Sequence, residues 1–197
     1  IPIDYHYTSI GMGSGYRWLT GLEPILQAMV SRPGWSLGNS IGIMTTDIQN
    51  GYNFRFRTYN YNPENASILS IQYDESTPTP TPIPTATPTP GGIQTLEYQV
   101  DHSMADGSSG DGTYGDNRNS TVLYFNNTSD GSLFSYQLFE NILIPNNATI
   151  LSASMRVDVD SSSYSNLATV ISAEDVDNAT DLSDGNTELW NRKSIPI

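Results

Sequence analysis

The sequence predicts an all-β protein, namely a jelly-roll-like antiparallel β-sandwich with one short α-helix and a Pro/Thr-rich linker. The first observation behind this is a series of short runs in which apolar and polar residues alternate, separated by Asn, Gly and Pro. The second is one apolar stripe at helical spacing, and the third is a Thr-Pro tract that divides the chain. Because alternation with a period of two is typical of strands that bury one face, many such runs with one helix indicate a sandwich or jelly roll.

The alternation is clearest in the long candidate strand at 150–159. Met155 and Val157 face one way there, while Arg156 and Asp158 face the other, as expected of a half-buried antiparallel strand. A loop rich in Asp, Gly and Ser is predicted at 101–119. The other candidate strands cover residues 3–7, 40–44, 54–59, 68–73, 96–100, 122–125, 134–139, 142–144 and 167–173.

One helix is predicted over residues 21–31. Pro24 suits its first turn, where the missing amide proton costs nothing, and Pro33 prevents the helix from continuing beyond Arg32. The apolar residues recur at helical spacing and form one stripe that a core can cover. They are Leu22, Ile25, Leu26, Met29 and Val30.

Residues 76–92 form a linker, because proline removes amide donors and excludes this tract from sheet ladders and helices. Alternating Thr-Pro favours extended polyproline II, which would reach roughly 50 Å at about 3.1 Å per residue. We name residues 1–75 the N-segment and residues 93–197 the C-segment. Such tracts are either bare spacers or O-glycosylated stalks, and in the second case the acceptors are Thr77, Thr79, Thr81, Thr85, Thr87 and Thr89.

The composition argues against several classes of function. With a formal net charge of -13 and only 8 Lys plus Arg residues, the chain is not expected to bind nucleic acid or an anionic membrane surface. No apolar run reaches the roughly 18 residues of a membrane span, so no membrane insertion is expected in this segment. Cysteine is absent, and His6 and His102 are the only imidazoles. Because no catalytic motif is present either, we expect that the protein is not an enzyme.

Five stretches resemble a module of large secreted and surface-anchored bacterial proteins, whose repeats are similar to carbohydrate-binding jelly rolls. Three of them resemble the beginning of that module, namely VLYF (122–125), ENILIPNNATILSASMRVDVDSSS (140–163) and AEDVDNATDLSDG (173–185). LEPILQAMVSRPGWSLGNSIGIM (22–44) and FRTYNYNPENASILSIQYDE (56–75) resemble its end. The resemblance implies an extracellular or cell-surface location and a non-catalytic role.

The order of these stretches is circularly shifted, since the module's end precedes its beginning. The opening tripeptide Ile1-Pro2-Ile3 also recurs at 195–197, which indicates a tandem array cut across a repeat boundary, unless the match is due to chance. The N-segment would then be the C-terminal half of one sandwich, and the C-segment the N-terminal half of the next. Each half alone would expose an apolar face. The halves pair either within one chain or between neighbours, and we expect the second arrangement.

The resulting expectation is a structural repeat unit of an extracellular filament, stalk or adhesin. Its partners would be copies of itself, assembled head to tail, and glycans are a second class of partner. The alternative is a carbohydrate-binding module of a secreted or surface-anchored protein, since aromatic faces stack on sugar rings. The aromatic candidates are Trp18, Trp35, Trp190, Tyr16, Tyr52, Tyr59 and Tyr61, and the competing interpretation is ordinary packing.

No cofactor is indicated apart from calcium, for which two regions are candidates. Glu174, Asp177 and Asn178 cluster after a predicted strand together with Asp175 and Asp181. The competing interpretation is an Asx-turn network that caps backbone amides. The second region is the loop with Asp101, Asp106, Asp111 and Asp116, which is alternatively a solvated turn. Sequons for N-glycosylation occur at Asn65, Asn119, Asn126, Asn127, Asn147 and Asn178.

Overall fold

A computed structural model describes residues 5–7, 14–47, 53–75, 92–109, 120–128, 131–162 and 169–182. The predicted all-β sandwich with one short α-helix is confirmed: every strand pairing is antiparallel, and two sheets pack on each other. The strands are β1 (Tyr5–Tyr7), β2 (Gly15–Thr20), β3 (Asn39–Asp47), β4 (Asn53–Arg57), β5 (Ile68–Asp74), β6 (Ile93–Gln99), β7 (Asp106–Ser109), β8 (Val122–Thr128), β9 (Gly131–Ile142), β10 (Thr149–Ser162) and β11 (Thr169–Ala173).

The first sheet has the order β1-β11-β3-β9-β7. The second sheet is built around β10, the longest strand, which pairs with β2 along one stretch and with β5 and β4 along others. In this sheet β6 extends β5, and β8 extends β4. Strand β9 begins in the second sheet beside β8 and continues in the first sheet beside β3, so it links the two layers.

The helix α1 spans Glu23–Val30, slightly less than the predicted 21–31. Pro24 lies in its first turn as predicted, and the helix ends at Val30 before Pro33 is reached. Its apolar stripe faces inward, because the side chains of Ile25 and Leu26 are buried together with those of Met29 and Val30. The helix packs on β10 and so covers the second sheet.

The sequence prediction missed two strands, β2 and β7, and it placed two separate strands where the structure has only β9. In β7 the inward positions are the buried polar residues Asp106 and Ser108, so the apolar alternation that marks a strand is absent. In β2 the outward positions are the aromatic residues Tyr16 and Trp18, which inverts the expected pattern. The predicted strand 134–139 lies within β9, which continues to Ile142, so only the first residue of the predicted strand 142–144 is in a strand.

One continuous core lies between the sheets and under the helix, and both segments contribute to it. The N-segment supplies residues of α1, β3, β4 and β5, while the C-segment supplies residues of β8, β9 and β10. Neither segment therefore contains the whole core. The largest fully buried side chains are Tyr136, Phe56, Phe134, Phe139, Leu22, Ile25, Leu26, Ile41, Ile43, Leu69, Ile71 and Leu123.

Candidate assembly interface

The strands of the N-segment pair only with strands of the C-segment among the described residues. Strand β1 pairs with β11, β2 with β10, β3 with β9 and β11, β4 with β8 and β10, and β5 with β6 and β10. No two strands from β1 to β5 pair with each other in this part of the chain. In the single chain described here, the two segments therefore complete each other by interleaving strand by strand.

Helix α1 is joined to the C-segment by hydrogen bonds from two of its side chains. The Gln27 side chain donates to the Ala148 carbonyl at 3.0 Å and accepts from the Ile150 amide at 2.9 Å. The Glu23 carboxylate accepts from the Ala153 amide at 3.1 Å. Because these polar groups belong to α1 and their partners to the start of β10, they fix the position of the helix along that strand.

The Arg-Pro-Gly-Trp turn that follows α1 continues the contact. Trp35 is buried, and its indole nitrogen donates to the Ile144 carbonyl at 2.9 Å. The Asn146 side chain donates to the carbonyls of Val30 at 3.0 Å and Arg32 at 2.8 Å. The carbonyls at the end of a helix have no partner inside it, and here the C-segment supplies one.

An ion-pair cluster holds the same turn from its other side. The Arg32 guanidinium donates from Nε to Asp177 Oδ1 at 2.7 Å and from Nη1 to Asp175. Hydrogen bonding to Asp177 and then to Asp175 raises the pKa of Arg32 above its ordinary value. Gly34 lies beside this cluster, and a Cβ there would overlap the Asp177 carboxylate and displace it from its present position.

The three predicted calcium ligands are directed to different partners. The buried Glu174 carboxylate accepts from the Tyr136 hydroxyl at 3.1 Å, and Asp177 accepts from Arg32. Asn178 Oδ1 accepts from the amide of Ser40 at 2.7 Å. That last contact caps a backbone amide, as the competing interpretation proposed, but the amide belongs to β3 and not to the same turn. Calcium at this cluster stays a prediction.

The second calcium region is divided by the fold. Asp106 lies inside β7 and is buried, so it is not part of a solvated loop. Asp101 is exposed and lies beside His102, whose Nε2 is 3.6 Å from it and 3.2 Å from both Glu140 and Asp181. Asp111 and Asp116 lie outside the described residues. The structure therefore places the carboxylates of Glu140 and Asp181 beside His102, which the sequence did not indicate.

The sequons differ in how they present their asparagine. The Asn65 side chain donates to the buried carboxylate of Asp158, so a glycan at Asn65 would have to displace this hydrogen bond. Asn147 is exposed in a turn, with φ at 61°. Asn178 is exposed, although its Oδ1 accepts from Ser40. The side chains of Asn126 and Asn127, like Asn119 and the linker threonines Thr77, Thr79, Thr81, Thr85, Thr87 and Thr89, lie outside the description.

The aromatic candidates separate into buried and exposed groups. Trp35 is buried and Tyr59 packs against the core. Tyr16 and Trp18 are each 50% exposed, and as residues two apart on β2 they share one face. The Arg156 guanidinium lies 4.4 Å from the Tyr16 ring centroid. Tyr61 is also exposed and faces an arginine on β4, while Tyr52 and Trp190 lie outside the described residues.

The fold and these contacts define the class of the protein as an antiparallel β-sandwich completed by two complementary segments. No family model, curated protein or solved structure matches the chain. None of the helices in the described part of the chain has the length and apolar character that crossing a membrane requires.

Proposed function

We propose that the protein is a structural repeat unit of an extracellular filament, stalk or adhesin, assembled head to tail by completion of the β-sandwich between consecutive units. The observation that carries the proposal is the pairing of every N-segment strand with C-segment strands. The same contacts would form if the N-segment of one unit met the C-segment of its neighbour. The contact surface between consecutive units would then be the whole core of one β-sandwich.

The size of the shared core supports such a bond. Each fully buried large apolar side chain contributes about 1.5–3 kcal/mol relative to exposure in water. Ile41 and Ile43 of the N-segment lie opposite Phe139 and Gln137 of the C-segment, and all four side chains are fully buried. Separation of the segments would expose these residues together with the rest of the core, so a free half would be unstable and prone to associate.

The position of the linker also favours exchange between chains. Asp74 at the end of β5 and Ile93 at the start of β6 are register partners, so the two ends of the linker lie next to each other. The Thr-Pro sequence between them favours an extended conformation that keeps its ends apart. Closing one chain on itself works against this preference, whereas pairing with a neighbour allows the linker to extend.

Shortening the linker tests the proposal. Deletion of 76–91 leaves Glu75 and Gly92 as a two-residue hairpin between β5 and β6, a length that suits antiparallel strands. We expect this variant to be monomeric under conditions in which the unaltered chain polymerises, because a two-residue turn holds β5 beside β6 of the same chain and so favours pairing within the chain. The unaltered chain, refolded at rising concentration, should form dimers and longer species by light scattering and fibres by electron microscopy.

A chain in which residues 76–91 are replaced by Gly and Ser at the same length is the matched control. A flexible tract of this kind closes a loop at little cost, so this variant should polymerise less than the unaltered chain. If the unaltered chain stays monomeric up to millimolar concentration and behaves like the deletion variant, exchange between chains is refuted.

An extracellular or cell-surface location is part of the same proposal. Consecutive Thr-Pro units and a net charge of -13 suit a spacer between beads that repel one another and remain soluble. Among the described sequons, Asn147 offers an exposed acceptor. Mass spectrometry of material from the native source would test decoration at Asn147 and at the linker threonines.

Sugar binding is the second candidate, and the exposed pair on β2 favours it. Tyr16 and Trp18 present adjacent rings on one face of the second sheet, a position suited to stacking on a pyranose. Titration with polysaccharides should quench tryptophan fluorescence saturably, and Trp18→Ala should abolish retention on the polysaccharide. Tyr61→Ala, which removes an equally exposed ring elsewhere, is the control. Equal retention of the unaltered chain and both variants would reject this site.

A further inference from the structure

Two buried acceptor oxygens belong to residues that are paired across β7 and β9. Asp106 and Gln137 are register partners, so their side chains lie on the same face of the first sheet. Asp106 is 2% exposed and Gln137 is fully buried. Asp106 Oδ2 accepts from the Tyr59 amide at 2.9 Å. The remaining oxygens, Asp106 Oδ1 and Gln137 Oε1, have no hydrogen-bond partner within the described part of the chain.

Two acceptors cannot bond to each other unless one of them carries a proton. Buried polar atoms are almost always paired, because an unpaired one loses its hydrogen bonds to water without replacement. We propose that Asp106 is protonated in the folded protein at mildly acidic pH, up to near neutrality, and that its hydroxyl donates to Gln137 Oε1. A carboxylic acid is then both a donor to Gln137 and an acceptor for Tyr59, and both orphan oxygens are satisfied.

The surroundings of Asp106 agree with a neutral acid. Burial raises its pKa to about 7, against smaller lowering effects from the Tyr59 amide and the charge of His102. On β9 the acid Glu140 is within 3.2 Å of His102. Strand β8 contains no charged residue, and from β4 the guanidinium of Arg57 is directed to Asp158 and Asp160. A second acid, Asp181, also lies 3.2 Å from His102.

The proton lies in a polar chain that joins the two segments. Gln137 Nε2 donates to Ser135 Oγ at 3.2 Å, and Ser135 Oγ is 2.5 Å from Thr45 Oγ1 on β3. Tyr59 and Thr45 belong to the N-segment, whereas Asp106, Gln137 and Ser135 belong to the C-segment. Protonation of Asp106 therefore strengthens the contact between segments, whether these belong to one chain or to two.

The expected pH dependence follows from proton binding. Since the folded protein holds this proton more tightly than the unfolded chain, the stability that Asp106 contributes is fully present below the ordinary value of 3.8 and is lost as the pH rises toward about 7. Within that window the contribution of Asp106 lowers the folding equilibrium constant by up to about tenfold per pH unit. Other acids add their own dependence, so a variant is needed to isolate this one.

Asp106→Asn is that variant. Its amide can donate to Gln137 at any pH, while its oxygen accepts from Tyr59. In urea unfolding of the full chain between pH 5 and 8.5, we expect the midpoint of the variant to gain on that of the unaltered protein steadily from pH 5 to about pH 7, and the difference to stay constant above that. The control is Asp158→Asn, since Asp158 is equally buried but lies 3.0 Å from the Arg57 guanidinium. That variant should lose stability at pH 8.

A direct readout is the carboxyl carbon shift of Asp106 in NMR spectra, assigned by its loss in Asp106→Asn. It should report a protonated acid at pH 6. An ionised carboxylate at pH 6, together with a loss of stability in Asp106→Asn at every pH, would overturn the proposal. That result would indicate a Gln137 amide of the opposite orientation, which donates to a charged Asp106. Neither outcome bears on exchange between chains, which the linker variants test.

Discussion

Replacing Gly42 by alanine should be among the most destabilising single-methyl changes in this protein. Gly42 lies on β3, and the ring of Tyr136 from β9 covers it. A Cβ at this position would lie 2.5 Å from the Tyr136 hydroxyl oxygen and 2.6–2.8 Å from two ring carbons. Tyr136 is fully buried, and its hydroxyl donates to Glu174 at 3.1 Å, so the ring has no space into which it can move.

The expected loss in the free energy of unfolding is the sum of two costs. Forcing a methyl group into a packed interior costs about 2 kcal/mol, the middle of a typical range of about 1–3 kcal/mol. Displacing the ring also weakens the hydrogen bond from Tyr136 to Glu174, and such a bond to a charged group contributes about 1.5–3 kcal/mol. The sum is about 4 kcal/mol, a large share of the roughly 5–15 kcal/mol that stabilises a typical domain. Because Gly42 and Tyr136 belong to different segments, this loss falls on the contact between them.

Urea unfolding followed by far-ultraviolet circular dichroism measures the effect. Gly92→Ala is the matched control, because a Cβ there meets nothing within 4 Å and should change stability by less than about 0.5 kcal/mol. Tyr136→Leu should relieve the overlap, so the double variant should be more stable than the sum of the two single changes predicts. If Gly42→Ala unfolds within 0.5 kcal/mol of Gly92→Ala, on the scale of ordinary surface substitutions, the packing of the two segments is not as described.

Two further predictions concern the turn after α1. Arg32→Ala should cost only about 1 kcal/mol, because the Arg32 and Asp177 side chains are 30% and 44% exposed, and the cost should shrink in 1 M salt. A loss unchanged by salt would show that the ion pair is not its source. Trp35→Phe should cost about 1–3 kcal/mol because it leaves the buried Ile144 carbonyl without a donor. Trp18→Phe at a half-exposed position should cost almost nothing, and equal melting temperatures for the two variants would contradict this.

The sequence predicted the elements whose burial follows the hydrophobic pattern. Helix α1 and strand β10 have unbroken apolar periodicity, and both were placed to within a few residues. Strand β7 could not be predicted, because its inward positions hold Asp106 and Ser108 and its stability depends on pairing with β9. The contact of Arg32 with Asp177 joins positions far apart in sequence, and no local pattern encodes it.

The hydrophobic pattern also does not determine which strands become neighbours or in which register. An antiparallel pair displaced by two residues would keep the same faces buried, so apolar alternation alone does not exclude the displaced register. The specific contacts of buried residues do exclude it. Displacing β3 by two residues would separate Thr45 from Ser135 and move Gly42 away from the Tyr136 ring, placing a larger residue beneath it. In an array whose neighbours are all alike, such contacts are what would make one alignment of the segments stable and the displaced ones costly.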